Sequence, residues 1–174
     1  MKRISRRATK LSAALALLAS TTTDPARADG WMMNGVFALG TGLQGGDPGT
    51  GQVAWMRART RVLAGVDFRS DVAQSDGFGI YGFSEIERRA SFGGEVRYQR
   101  FWTSTIGFHV AILGTVTPES MLGAGVGARF GFPIGKRATL FLEPGFAAFP
   151  LGSDLPGNSV LVWATLAGGI GFAL

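Results

Sequence analysis

The residues best placed to do chemistry in this 174-residue chain are arginines and carboxylates set two apart. Arg57, Arg59 and Arg61 are followed by Asp67 and Arg69, then Glu85 and Glu87, Glu95 and Arg97, and finally Arg129 and Glu143. Side chains two apart in an extended chain point to the same face, so each group can present its charges together. Three kinds of chemistry could use such a set: a charge ladder that neutralises itself, a carboxylate–arginine catalytic site, or a path for ions. The only histidine is His109, and there is no cysteine. A zinc site of the usual Cys/His kind therefore lacks ligands. The sequence holds neither a phosphate-cradling glycine loop nor another metal-ligand set. No metal and no cofactor is expected.

The elements that carry these residues read as strands. Between glycine-rich breaks the hydropathy alternates with period two, not 3.6. In 54–69 the even positions run Ala54, Met56, Ala58, Thr60, Val62, Ala64, Val66 and Phe68, while the odd positions hold the arginines and Asp67. The same split recurs in 78–87, 90–99, 104–116, 121–132, 140–148 and 160–174, and more weakly in 35–44. Eight strands result, with turns near 45–51, 70–76, 88–89, 100–103, 117–120, 133–138 and 150–158. Pro118, Pro133, Pro150 and Pro156 lie at or beside these breaks, where prolines are tolerated. Pro144 is the misfit, and a bulge with Gly145 is the expected remedy.

The N-terminus is different. The first 28 residues contain six bases (Lys2, Arg3, Arg6, Arg7, Lys10, Arg27) and one acid, Asp24. The net charge of +5 thus belongs to this segment, and the rest carries eleven bases and eleven acids. That distribution gives no reason to expect nucleic-acid binding. A basic start, the apolar stretch Leu11–Ser20 and the small-x-small site Ala26-Arg27-Ala28 read as a cleaved signal peptide, residues 1–28. Ser5-Arg6-Arg7 lacks the aromatic usual after a twin-arginine pair, so a Sec-type route is expected. Residues 29–174 form the single mature domain.

Across the clear strands one face carries no charge and the other carries all eleven of the spaced arginines and carboxylates. An uncharged face can pack on a protein core or meet lipid. The polar face is rich in Gly, Ala and Thr, and Lys136 is the only lysine after residue 28, unlike a soluble surface. No covering helix is legible, so an open sheet would leave bare edges, and in hydrocarbon only a closed barrel pairs every backbone group of a sheet. The fold expected is all-β: an eight-stranded antiparallel up-and-down transmembrane barrel. Its interior would have just enough room for side chains. Turn positions place Arg129 opposite Glu143, Arg61 opposite Glu85 and Arg59 opposite Glu87, within salt-bridge reach. Gly123, Gly125, Gly127 and Gly131 would either make room for the arginines or mark bends. Trp163 and Leu161 on the polar face imply a local apolar plug or a register error. Phe101, Trp102 and Phe132 suit either an interfacial aromatic girdle or a core.

The last strand ends Ala167-Gly168-Gly169-Ile170-Gly171-Phe172-Ala173-Leu174. Gly169, Phe172 and Leu174 resemble the C-terminal assembly signal of outer-membrane barrels, although Ala167 stands where a polar residue is usual and Leu174 where Phe is. With Gly93-Gly94-Glu95-Val96-Arg97-Tyr98, which resembles one of their strands, the mature chain is similar to small eight-stranded barrels of the OmpA/OmpX-like type. The resemblance implies a monomer in outer-membrane lipid, insertion by the barrel-assembly machinery, both termini in the periplasm and no domain after the barrel. The His-x-Ser arrangement of lipid A deacylases is not matched, because Ala111 takes the Ser position. Arg97 and His109 are expected as cross-strand neighbours, in a structural role.

The expected function is that of a non-enzymatic outer-membrane barrel of structural or unassigned role, its lumen plugged by the arginine–carboxylate network. A bulk-diffusion pore needs about 16 strands. The alternatives are a soluble periplasmic barrel that binds an apolar ligand and a narrow ion-conducting barrel.

Overall fold

A computed structural model describes residues 31–47, 52–58, 60–70, 75–86, 90–153, 155 and 159–174. The expected signal peptide, 1–28, lies outside the described residues. The strands are β1 (Trp31–Gly46), β2 (Ala54–Arg57), β3 (Arg61–Ser70), β4 (Asp76–Glu85), β5 (Ser91–Phe101), β6 (Ile106–Thr117), β7 (Met121–Ile134), β8 (Ala138–Gly152) and β9 (Leu161–Ala173). Each pairs antiparallel with its neighbour, and β9 returns to pair with β1, closing the sheet. Both β2 and β3 pair with the same side of β1, so they are two pieces of one strand. The architecture is an eight-stranded up-and-down barrel, as the alternation predicts. The predicted turn at 100–103 falls two residues later, over 102–105.

Closure explains the alternation. In β5, Ser91, Glu95, Arg97, Gln99 and Phe101 are buried, while Phe92, Gly94, Val96, Tyr98 and Arg100 are exposed. The outer surface is the oilier one: the exposed large apolar side chains outnumber the buried ones, with Ile112 65% and Trp102 61% exposed. Outward charges occur only towards the strand ends among the described strands. Arg57 lies near one end. Near the other, Arg100 and Asp76 pair at 2.7 Å, and the Tyr98 hydroxyl donates to Asp76 at 2.7 Å.

Three irregularities matter, and all lie at the end away from the termini. Arg57 pairs with Leu43 and Arg61 with Gly40, so the step between these two pairs is four residues along one strand and three along β1. One extra residue reverses the alternation. A second shift lies between Phe92 and Gly93, whose partners are Thr117 and Thr115. A third lies between Leu122 and Ala124, whose partners Leu151 and Ala148 enclose Phe149-Pro150. The bulge expected at Pro144-Gly145 is therefore at Phe149-Pro150 instead. The β7–β8 register is the same on either side of Pro144 (Gly127↔Gly145 and Phe130↔Leu142), and Pro144 faces outward opposite Leu166 on the other side.

Candidate functional site

The inward faces of β3, β4, β5, β7 and β8 meet in a buried network centred on Glu143. Its Oε1 accepts from Arg97 Nη1 at 2.6 Å and its Oε2 from Arg129 Nε at 2.8 Å. Arg97 Nε donates to Glu95 at 2.5 Å, two residues back on β5. Arg129 Nη1 donates to Asp67 Oδ2 at 2.6 Å. Asp67 Oδ1 in turn accepts from the Tyr81 hydroxyl and from Gln99 Nε2. One continuous path thus runs Glu95–Arg97–Glu143–Arg129–Asp67, across strands distant in sequence. Beside it Arg61 lies 3.7 Å from Glu85, whose other oxygen accepts from Ser91 Oγ at 2.7 Å.

The physics of burial demands this arrangement. An ion taken out of water is tolerated only where partners and hydrogen bonds replace hydration. The guanidinium faces are covered too: Arg97 lies over Tyr81 at 4.4 Å, Arg129 over Phe141 at 4.4 Å, and Arg61 against both Phe83 and Trp163 at 4.2 and 4.5 Å. Such cation–ring contacts gain strength when desolvated. Lumen space is tight enough that a Cβ at Gly127 would overlap the His109 ring, and one at Gly169 would overlap Phe141. The inward glycines of β7 therefore do make room, but for His109 beside Gly127 and Phe149 beside Gly123 rather than for arginines.

Towards the end away from the termini the filling changes. Phe149, completely buried, meets Trp163 with ring centres 4.3 Å apart, packed with Leu113, Ala147, Met121 and Leu161. This is the apolar plug that Trp163 and Leu161 predict. The lumen is left with a central cavity of about 60 Å³, a chamber of about 150 Å³ beyond Trp163 and one of about 250 Å³ at the termini end.

Of the predicted network, Arg61, Asp67, Glu85, Glu95, Arg97, Arg129 and Glu143 come together, and the Arg61–Glu85 pairing is as expected. Arg129 and Glu143 also form the expected pair. Arg59 and Glu87 lie outside the described residues. Arg57 does not join: the extra residue at 58–60 turns it outward beside Leu43, and Ala58 takes the inward place. Arg69 faces the termini-end chamber, outside the ion-pair path. His109 stands opposite Gln99, and Arg97 opposite Ala111, so the expected cross-strand pair is two residues out of register. Phe101 is buried under Arg69 and is no part of an outer girdle, while Trp102 and Phe132 are exposed. At the C-terminus, Gly169 faces Phe141, the Phe172 ring covers Gly35, and the Leu174 N–H donates to the Met33 carbonyl at 3.0 Å.

Tyr81, Gln99 and Ser91 join the network although they lie outside the predicted set of charges. Their signal was present, since Tyr81 has the parity of Glu85 and both Ser91 and Gln99 that of Glu95. Compared with known proteins, the chain matches no family model, no curated protein and no solved structure.

Proposed function

We propose that this protein is an integral outer-membrane barrel of the small OmpA/OmpX-like kind, structural in role and closed to bulk diffusion. The observation that carries the reading is the inversion of polarity: Ile112, Val116 and Phe132 are at least 60% exposed, whereas Glu143, Arg97 and Asp67 are at most 6% exposed. Apolar contact with water is unfavourable over so broad a surface, and acyl chains remove that cost. The belt also has a suitable height. Twelve-residue β6 climbs roughly 28 Å at a rise of about 3.3 Å per residue and a tilt of about 40°, close to the roughly 25 Å band of such barrels. Trp102 and Tyr98 near one end and Trp55 near the other suit the two interfaces.

The closed, paired lumen supports a structural rather than catalytic or conducting role. The network carboxylates are engaged by arginine, and His109 is packed against Gly127 without an acid partner in hydrogen-bond reach among the described residues. The barrel-assembly machinery is the partner this reading implies during insertion.

The test is fractionation with gel mobility. The protein is expected in the outer membrane, released by detergent and not by alkaline carbonate, and to migrate differently before and after boiling. Recovery in the soluble periplasmic fraction, with one mobility in both conditions, would overturn the proposal.

A further inference from the structure

We propose that the lumen chamber at the termini end binds a phosphate-type oxyanion. Among the described residues, one lumen arginine has no ion pair. Arg61, Arg97 and Arg129 each face a carboxylate. Arg69 does not: its Nη1 donates to the Ser104 carbonyl at 3.1 Å, its guanidinium lies 5.1 Å from the Phe101 ring centre, and its Nε is buried with no acceptor. Asp67, two residues away, has both oxygens occupied, by Arg129 on one and by Tyr81 and Gln99 on the other.

The chamber in front of Arg69, about 250 Å³, is also walled by Arg129, Lys136, Arg137 and Thr139, with Asp67 as its one carboxylate side chain. Four cations against one anion leave this wall at +3. Among the described residues no carboxylate forms an ion pair with Arg69, Lys136 or Arg137. A buried N–H without an acceptor is costly. A tetrahedral oxyanion supplies several acceptor oxygens and negative charge together, and a guanidinium matches two of those oxygens at once. Lys136 and Arg137 lie in the turn 135–137 at the mouth, so a phosphate on a larger molecule can enter with the remainder outside. Free phosphate and a lipid phosphate share this chemistry. The site does not require the membrane reading, since a barrel in water would hold the same chamber.

The experiment titrates the folded protein, in an uncharged detergent or in buffer if it proves soluble, with inorganic phosphate at low ionic strength. Amide NMR shifts report binding, and a sodium chloride titration is the control for ionic strength. A second arm uses short-chain phosphatidylglycerol. Saturable binding of either ligand is expected, weakened at least tenfold by Arg69→Gln and about threefold or more by the double change K136A/R137A, with Arg100→Gln on the outer wall unaffected. Binding of the lipid alone, with the same losses, assigns the lipid as source. If neither ligand saturates, or if Arg69→Gln binds like the parent, the proposal fails. Should Arg69→Gln not fold, unchanged binding by K136A/R137A is the overturning result.

Discussion

Around Glu143 the lumen is filled by ions and hydroxyls, whereas around Phe149 it is filled by rings and methyls, and the strand geometry differs with the filling. All three register shifts lie on the Phe149 side. On the Glu143 side two ladders are continuous, from Arg61↔Glu85 to Arg69↔Gly77 in β3–β4 and from Gly94↔Gly114 to Phe101↔Gly107 in β5–β6, and no register shift occurs. A hydrogen-bonded ion network needs each donor within a few tenths of an ångström of its acceptor, and a regular ladder delivers that. An apolar plug needs only matching volume, so a bulge can reshape it. Polar filling thus demands regularity, and apolar filling tolerates its loss.

The polar filling depends most on Glu143, which joins Arg97 to Arg129. Glu143→Ala leaves Arg97 and Arg129 without their shared acceptor and is expected to cost about 5 kcal/mol, the upper end for breaking a buried ion pair. Urea unfolding of the folded barrel measures it. A loss below about 1 kcal/mol would mean that water replaces the carboxylate and that the network is not what holds the strands. Phe149→Ala is expected to cost about 3–4 kcal/mol through the cavity it opens and, unlike Glu143→Ala, to be relieved by another large apolar residue such as Leu. Equal failure of Leu and Ala there would show that the plug is as exacting as the network.

Gly127→Ala sharpens the contrast, because its Cβ would overlap the His109 ring and approach the Pro144 carbonyl. Overpacking of this kind is expected to cost about 1–3 kcal/mol, and His109→Ala in the same chain should recover part of it. No recovery would place the strain in the backbone. Smallest is Arg100→Gln on the exposed outer pair with Asp76, for which no resolvable change in unfolding midpoint is expected, since exposed pairs contribute little. A clear shift there would show that the outer rim, and not only the lumen, sets stability.

Much of this fold is legible along the chain. The strands stand out because Gly and Pro mark the turns and alternation marks the faces, and the hairpins β3–β4 and β7–β8 place Arg61 with Glu85 and Arg129 with Glu143 through short turns. What escapes is set by single residues. Nothing in Arg57-Ala58-Arg59-Thr60 announces that an extra residue is accommodated there, yet it sends Arg57 outward. Phe101 reads as an interfacial aromatic beside Trp102, but its parity with Arg97 and Gln99 carries it inside. His109 stands opposite Gln99, two residues from Arg97, because the β5–β6 ladder closes around the turn at 102–105.

Alternation along the chain is enough to assign nearly every described lumen charge to its side of the sheet, because it is a local property of an extended chain. Only the closed barrel decided which charges meet. The contacts of Arg97 with Glu143 and Arg129 with Asp67 span 46 and 62 residues, and neither joins neighbouring strands. Such pairs exist because β9 bonds to β1 and bends all inward faces towards one axis, and no pattern along the chain encodes a distance across that axis.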